Sequence, residues 1–322
     1  MPNIIIHLKT ADMTRPLPFN HLQLYGVIKD MSAGKGFDVI IRQRDEDIKT
    51  MMRQVPDDRF NDGNLHIIDD RCVNMANVLN AGVACFWRFW HIDPKGTKAF
   101  SSIGDLVYHP TNMPFKRAKP FYDRMRHRYV HGRMSRYEQA RSHETFPQGA
   151  IAVFFQGSHP RLAGATDFTD LGMLATVMEQ AGDRPIIVKP HPLLISQSDL
   201  TLLEDLKSKD ERLIVTDANI HDILGACDVT VSINSTVALE GFLHRKPAIL
   251  FGKSDFHHFA RTVTVTLGFS QALDIERNRE DGFAHYIAWY LMKHCLSQNR
   301  ASFVDDIWKV FAKAGFPEER FL

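Results

Sequence analysis

The apolar residues of this chain come in short blocks separated by polar turns, and the blocks are more regular in the second half than in the first. In the second half, apolar runs at 150–156, 185–189, 212–215, 229–233 and 248–251 alternate with stretches whose apolar positions recur at helical spacing. Those stretches are 168–182, 200–207, 220–227 and 236–244. Continuous apolar runs joined through helices by short loops predict a parallel sheet covered on both faces. In the first half, strands are expected at Ile4–Leu8, 37–42, 65–68 and 84–90, with helices at 21–31 and 73–81. The stretch 116–146 is basic and reads as helical, and Pro147-Gln148-Gly149 breaks that pattern like a linker. Two terminal helices are expected at 283–295 and 303–311.

The predicted organisation is therefore α/β: a Rossmann-like domain over 1–148, a second over 149–275, and helices over 276–322 that pack back on the N-terminal domain. Two such αβα domains facing a cleft, with C-terminal helices packing across the junction, are the architecture of GT-B glycosyltransferases. Binding sites in open α/β sheets lie beyond the carboxyl ends of the strands, and two motifs fall there. Ile186-Ile187-Val188-Lys189-Pro190-His191-Pro192 ends a strand in an imidazole whose backbone is restricted by flanking prolines. Asp228-Val229-Thr230-Val231-Ser232-Ile233-Asn234-Ser235-Thr236 ends another strand and runs into a helix, where backbone N–H groups attract anions. A His-Pro loop beside a Ser-Thr helix start suits a nucleotide phosphate.

Other residues join these two motifs. Gln156 ends the first strand of the second domain, and Asn234 shapes the turn before Ser235 and Thr236. Glu240, one turn into the helix, is placed to accept hydrogen bonds from ribose hydroxyls or to sit as an ordinary surface acid. Asp167 and Asp170 are candidate catalytic carboxylates or N-caps of the next helix. Asp93, after the aromatic strand Phe86-Trp87-Arg88-Phe89-Trp90, is the candidate base toward an acceptor hydroxyl. Arg261 could meet a donor phosphate or carboxylate. His257 and His258 would point to opposite faces of a strand, so no metal site is expected there.

Charge and cysteine content narrow the function classes. Lysine plus arginine number 39 and aspartate plus glutamate 38, a formal charge of +1, which gives no bulk electrostatic basis for nucleic-acid binding. The local run Arg124-Met125-Arg126-His127-Arg128 reads as a solvated helix face, or as a patch for an anionic glycan or membrane surface. Cys72, Cys85, Cys227 and Cys295 have no zinc or redox spacing and are expected reduced and buried. No stretch approaches a membrane span and the N-terminus does not read as a signal peptide. The expected location is cytoplasmic, at most peripheral to the inner membrane.

Four segments in order resemble a known family: Lys189-Pro190-His191-Pro192, then Ser232 to Leu243, then Lys246-Pro247-Ala248-Ile249, then Gly252-Lys253-Ser254-Asp255-Phe256. They look like the capsule polysaccharide biosynthesis family, which includes bacterial Kdo transferases that build the lipid-linked linker of capsules. The likeness runs over roughly residues 150–262. It implies a GT-B-like fold and a CMP-activated ulosonic acid as donor substrate, with no metal or other cofactor. It implies that His191, Ser235 and Thr236 bind the cytidine monophosphate. Gln156, Lys189, Asn234 and Glu240 are expected around it, and the expected acceptor is a glycan or lipid-linked glycan. Bacterial sialyltransferases share a His-Pro and a Ser/Thr motif for CMP. One departure stands out: the family often carries Gln-x-x-x-Asp, and Gln156 is followed at the fourth place by Pro160. Two other classes fit the same segments. One is a CDP-glycerol glycerophosphotransferase, which usually has Asp-Tyr-Ser-Ser where this chain has Ile233-Asn234-Ser235-Thr236. The other is a non-catalytic module that binds nucleotide or glycan.

Overall fold

In the computed structural model, which describes residues 1–49, 58–192 and 194–322, the chain divides into two compact units. Met1–Leu106 and Leu291–Leu322 form the first, and Val107–Tyr290 forms the second. The first carries strands β1 (Ile4–Leu8), β2 (Val39–Gln43), β3 (Leu65–Asp69), β4 (Val78–Val83) and β5 (Phe89–Asp93). The second carries β6 (Ala150–Phe154), β7 (Ile186–Lys189), β8 (Leu213–Val215), β9 (Cys227–Ser232), β10 (Ala248–Leu250) and β11 (Arg261–Thr262). A last strand, β12 (Leu296–Ser297), returns to the first sheet.

The first sheet has the order β12-β5-β4-β3-β1-β2. Strands β4, β3, β1 and β2 are parallel, whereas β5 is antiparallel to both of its neighbours. The second sheet, β11-β10-β9-β6-β7-β8, is parallel throughout. Every residue of β1, β3, β4 and β6 is buried, which is why these strands read as continuous apolar runs and not as alternating ones. On one face of the first sheet, Ile4, Ile6, Leu65, Ile67 and Trp90 pack against helices Gln23–Ala33 and Phe303–Lys313. In the second unit, Val153, Val188, Val231 and Ile249 anchor the larger core face. Truncating a fully buried isoleucine such as Ile6 to alanine removes about 2–5 kcal/mol.

The expected α/β class with two sheets holds, and the predicted strands and helices of the second half lie within a few residues of the observed ones. The first half differs at two places: the helix expected over 116–146 ends at His131, and the order of elements changes over 73–93. The spacing predicts a helix over 73–81 and a strand over 84–90; the structure instead has strands at Val78–Val83 and Phe89–Asp93 with a turn between. The aromatic run is cut by that turn, where Cys85 and Arg88 take φ of 50° and 71°. Asn80, buried inside β4, accepts the Val73 N–H at 2.8 Å and donates to the Val73 carbonyl at 2.9 Å. This clamp folds 73–77 back on the strand, a tertiary effect that outweighs the helical spacing of the apolar residues.

The units also divide at a different place from the linker expected at Pro147-Gln148-Gly149. Gly149, at φ +77°, starts β6 and donates to the Ala226 carbonyl, so it is a strand entry and not a domain border. The basic helix Phe115–Arg126, expected with the N-terminal domain, lies in the second unit against helices Val237–Leu243 and Phe283–Ala288. Its Tyr122 hydroxyl donates to the Phe242 carbonyl at 2.6 Å. Met125 and Tyr129 are buried while Arg124 and His127 are exposed, so the basic run is the outer face of a packed helix. Of the two C-terminal helices, Phe283–Ala288 stays with the second unit, and only the chain from Leu291 onward joins the first. There β12 pairs with β5, and Phe303, Ile307 and Phe311 enter the core. All four cysteines are buried. Among the described residues no helix is long and apolar enough to cross a membrane.

Two buried histidines of the first sheet, His7 and His66, link Arg42 to Asp62 in a chain. Arg42 donates to His7 Nδ1 at 3.3 Å, His7 Nε2 meets His66 Nδ1 at 3.0 Å, and His66 Nε2 meets Asp62 at 2.9 Å. The donor at each step leaves both imidazoles neutral. Burial, then the charge of Arg42, drives the His7 pKa down to about 3, and burial also lowers that of His66. A histidine depressed in the folded state costs no stability above the unfolded value near 6.5. It costs progressively more as pH falls from there toward 3. Thermal unfolding should therefore show a melting temperature that is flat above pH 7 and falls between pH 6 and 4. The double variant H7F/H66F should lose that portion of the acid sensitivity, and an unchanged slope in the variant would contradict it.

Candidate functional site

The carboxyl ends of β7, β6 and β9 lie side by side, because β6 is the strand between the other two. Phe154 of β6 is level with Lys189 of β7 and with Ser232 of β9. Gln156, two residues past Phe154, thus emerges between the His191 loop on one side and the Asn234–Thr236 turn on the other. With strands about 4.8 Å apart, the two outer motifs are separated by about 10 Å of sheet edge. The motifs therefore flank a central strand end, and that end is itself built of functional candidates.

Gln156 and Asn234 hold each other. The Gln156 side-chain oxygen accepts the Asn234 backbone N–H at 2.8 Å, and its amide nitrogen donates to the Asn234 side-chain oxygen at 3.0 Å. Asn234 then donates from its own amide to the Lys253 carbonyl at 2.9 Å. These bonds tie the ends of β6 and β9 and the loop after β10 into one rigid edge.

Gly157, at φ +69°, turns the chain away from β6, and a side chain there would strike the backbone of Leu194. Asp170 braces this turn: one carboxylate oxygen accepts the N–H groups of Gln156 and Gly157 at 2.8 and 2.6 Å. Its other oxygen is buried without a partner among the described residues. Burial lifts the Asp170 pKa to about 6 against the pull of the two N–H groups. Thr169, not an aspartate, caps the helix Asp170–Gln180 by accepting the Gly172 N–H. Asp167 is exposed in the loop before it and pairs with no described residue, so nothing in the structure joins it to the strand ends. Pro160 is buried in the first turn of the helix His159–Leu162. The acid expected at that spacing is absent, and the carboxylate that reaches this strand end is Asp170.

The helix start after β9 is more fully satisfied than the sequence suggested. Ser235 donates its N–H to the Ser232 hydroxyl at 3.1 Å, and its own hydroxyl accepts the Val237 N–H at 3.3 Å. Helix Val237–Leu243 is therefore capped by Ser235, with Thr236 in helical conformation and making no cap bond. The amides of Ser235 and Val237 are thus already bonded within the protein. What Ser235 retains is the proton of its hydroxyl, able to donate outward.

Glu240 is partly buried, and its carboxylate accepts a hydrogen bond from the Ser135 hydroxyl at 2.8 Å. Burial raises its pKa to about 7, opposed by Ser135 and the charge of Arg136. His191 is half-buried, burial lowers its pKa, and its ring meets that of Tyr137 edge-on at 5.6 Å. At neutral pH it is an uncharged donor and acceptor. Lys189 donates to the carbonyls of Asp217 and Ala218, both at 2.7 Å, and so fixes the loop after β8. Its expected place around a nucleotide is not where its ammonium goes.

The segment 133–144, expected as part of a basic helix over 116–146, is not helical. It forms a strap that touches two of the candidates through Ser135 and Tyr137. Arg133 clasps Asp222 with bonds of 2.6 and 3.0 Å, Glu144 donates its N–H to the same carboxylate, and Gln139 and Ala140 accept from Ile220 and Asn219. Nothing in its composition marks it; its role comes from where the fold lays it.

Three further expectations are corrected. Asp93 is buried, and its carboxylate accepts the N–H groups of Lys95, Gly96 and Ser102 and the Ser102 hydroxyl. With four donors filled it anchors its own loop. Through its pairing with Asn80, Asp93 is level with Ile68 of β3 and His7 of β1, near the carboxyl ends of those parallel strands. Arg261 pairs with the buried Glu276 at 3.2 Å, beside Arg279, and so neutralises a core acid. His257 and His258 lie in a turn with their rings stacked at 4.2 Å, not on opposite faces of a strand. Among the described residues no group of three or more His, Cys, Asp or Glu stands together as a metal site.

No curated protein matches the chain in sequence. Residues 158–281 match the model of the family described as capsule polysaccharide biosynthesis protein. That stretch holds His191, Asn234, Ser235, Thr236 and Glu240 and begins just after Gln156. Among solved structures, the β-Kdo 2,7 transferase of KpsC from Thermosulfurimonas dismutans covers 97% of this chain and 99% of its own, with a TM-score of 0.55 at 13% identity. The β-Kdo 2,4 transferase of the same protein covers 89% of each chain, with a TM-score of 0.52 at 13% identity. These similarities establish a GT-B-type α/β fold, and over residues 158–281 the chain resembles the capsule polysaccharide biosynthesis family, as its ordered motifs led us to expect.

Proposed function

We propose that the chain is a glycosyltransferase of capsule or surface polysaccharide assembly. In this reading it takes a Kdo- or sialic-acid-like sugar from a CMP-activated donor and passes it to a glycan or lipid-linked glycan. The observation that supports it most is the alignment of His191, Gln156 with Asn234, and Ser235 at the carboxyl ends of three adjacent parallel strands, within the matched family stretch but for Gln156. In the transfer, the acceptor oxygen forms a bond to the anomeric carbon while the bond from that carbon to the phosphate oxygen breaks. The electron pair leaves with CMP, and negative charge grows on the phosphate. Preorganised donors aimed at developing charge are the strongest catalytic device available to such a site.

His191 supplies one donor, neutral because burial lowers its pKa. The hydroxyls of Ser235 and Thr236 supply others, at the positive end of a short helix. The Gln156–Asn234 pair already ties the turn that bears Ser235 and Thr236 to the end of β6. Glu240 accepts from the ribose hydroxyls, in competition with Ser135. The charge on the leaving group is met by these protein donors, so the reaction proceeds without a metal ion. The donor and the lipid-linked acceptor would bring the chain to the inner face of a membrane.

Isothermal titration should show CMP binding, and His191→Ala should lower kcat by about a hundredfold with the fold intact. Absence of CMP binding, together with unchanged turnover in the variant, would refute the reading. Preference for CDP-glycerol over CMP-sugars in the same titration would assign the site to glycerophosphate transfer. Rates unchanged by EDTA are expected.

A second expectation concerns pH. Glu240 accepts best as a carboxylate, and its pKa is about 7, so donor KM should fall as pH rises from 6 to 8. Glu240→Gln should raise KM by about tenfold at pH 8 and flatten that dependence. A variant with the wild-type profile would remove Glu240 from the donor site.

A further inference from the structure

The first unit contains a pocket of about 480 Å³ between β4, β5, β12 and the helix Phe303–Lys313, in the size range of small-molecule sites. No step of the proposed transfer chemistry uses it. Its floor is apolar, from Leu79, Trp90, Ile92, Leu296 and Val310. Its rim is basic, from Lys293, Arg300, Lys309 and Lys313. Of the two acids that line it, Asp306 is paired with Lys309 at 2.9 Å and accepts from Ser302, and Asp93 is saturated by its own loop. Lys293 and Lys313 have no acidic partner among the described residues, so the rim keeps excess positive charge.

A second observation is independent of charge. Trp90 is fully buried, lines this pocket, and its indole N–H has no acceptor among the described residues. Buried indole N–H groups nearly always find a partner. An acceptor atom delivered by a ligand would complete it. Apolar floor, unmatched cations and an unanswered buried donor together specify the ligand's chemistry: an apolar body that carries an anionic oxygen group.

We propose that this pocket binds an amphipathic organic anion, a phosphate or carboxylate on a compact apolar body, at a site separate from the strand ends of residues 107–290. The apolar body lies along Leu79, Ile92, Leu296 and Val310, and the anion meets Arg300 and Lys313. Such chemistry comes from a free metabolite or from a lipid headgroup with a portion of its chain.

The probe is octyl phosphate below its micelle concentration, titrated calorimetrically into the full chain. One saturable site is expected, with binding weakened about tenfold or more in R300E/K313E and in Val310→Trp, which fills the floor without touching the charges. Circular dichroism melting should confirm that both variants fold. Inorganic phosphate and octanol should each bind at least about tenfold more weakly than octyl phosphate, because each lacks half of the chemistry. Flotation with phosphatidylglycerol vesicles, against phosphatidylcholine vesicles, separates the sources. Charge-dependent flotation lost in R300E/K313E assigns the pocket to a lipid headgroup, and its absence beside intact octyl phosphate binding assigns it to a soluble anion. No saturable octyl phosphate binding, equal binding by the folded variants, or equal binding of inorganic phosphate overturns the proposal.

Discussion

The reciprocal amide pair between Gln156 and Asn234 is the interaction on which the candidate site depends. A parallel sheet delivers its strand ends with unpaired backbone groups, and those groups must be satisfied before any side chain beyond them has a fixed position. Here the Gln156 oxygen takes the Asn234 N–H, the two side chains bond to each other, and Asn234 reaches the Lys253 carbonyl. The same logic explains Asp170, whose carboxylate collects the N–H groups of Gln156 and Gly157. Its raised pKa is the electrostatic consequence of burying a brace there. A site assembled this way is rigid before a ligand arrives, so binding need not order it.

Polar satisfaction also separates residues that hold the edge from residues left to act. Lys189, Asp93 and Arg261 are polar and well placed in sequence, yet each is occupied by carbonyls, amides or a buried acid. Ser235 is intermediate: it caps its helix with the hydroxyl oxygen and keeps the hydroxyl proton. Glu240 and His191 touch the strap at Ser135 and Tyr137 and carry shifted pKa values. Titrating groups shifted by burial at a strand-end site are candidates for function.

The parallel sheet was legible in the sequence because buried strands leave uninterrupted apolar runs, as at Ile186–Lys189 and Cys227–Ser232. The strand-end motifs were legible too, because topology alone carries them to one edge. The pattern misled at 73–90, where local spacing suits a helix and only the Asn80 clamp on Val73 selects a strand. It misled again at 147–149, where a proline and glycine open a strand inside one unit and mark no domain border. The strap at 133–144 read as part of a basic helix, because its role arises from contacts with residues about 55 to 105 positions away, such as Tyr137 with His191 and Ser135 with Glu240. The basic pocket on the first unit was equally hidden, since its walls come from β4, β5 and a helix near the far end of the chain.

For the site to work as proposed, His191 and Ser235 must reach one phosphate across the end of β6. A crystal of the protein soaked with CMP tests this most directly. The prediction is a phosphate group with oxygens within hydrogen-bond distance, about 2.7–3.2 Å, of the His191 ring and the Ser235 hydroxyl. The ribose should lie toward Glu240. Density for CMP at any other place, with His191 and Ser235 too far from each other to share a phosphate, would contradict it.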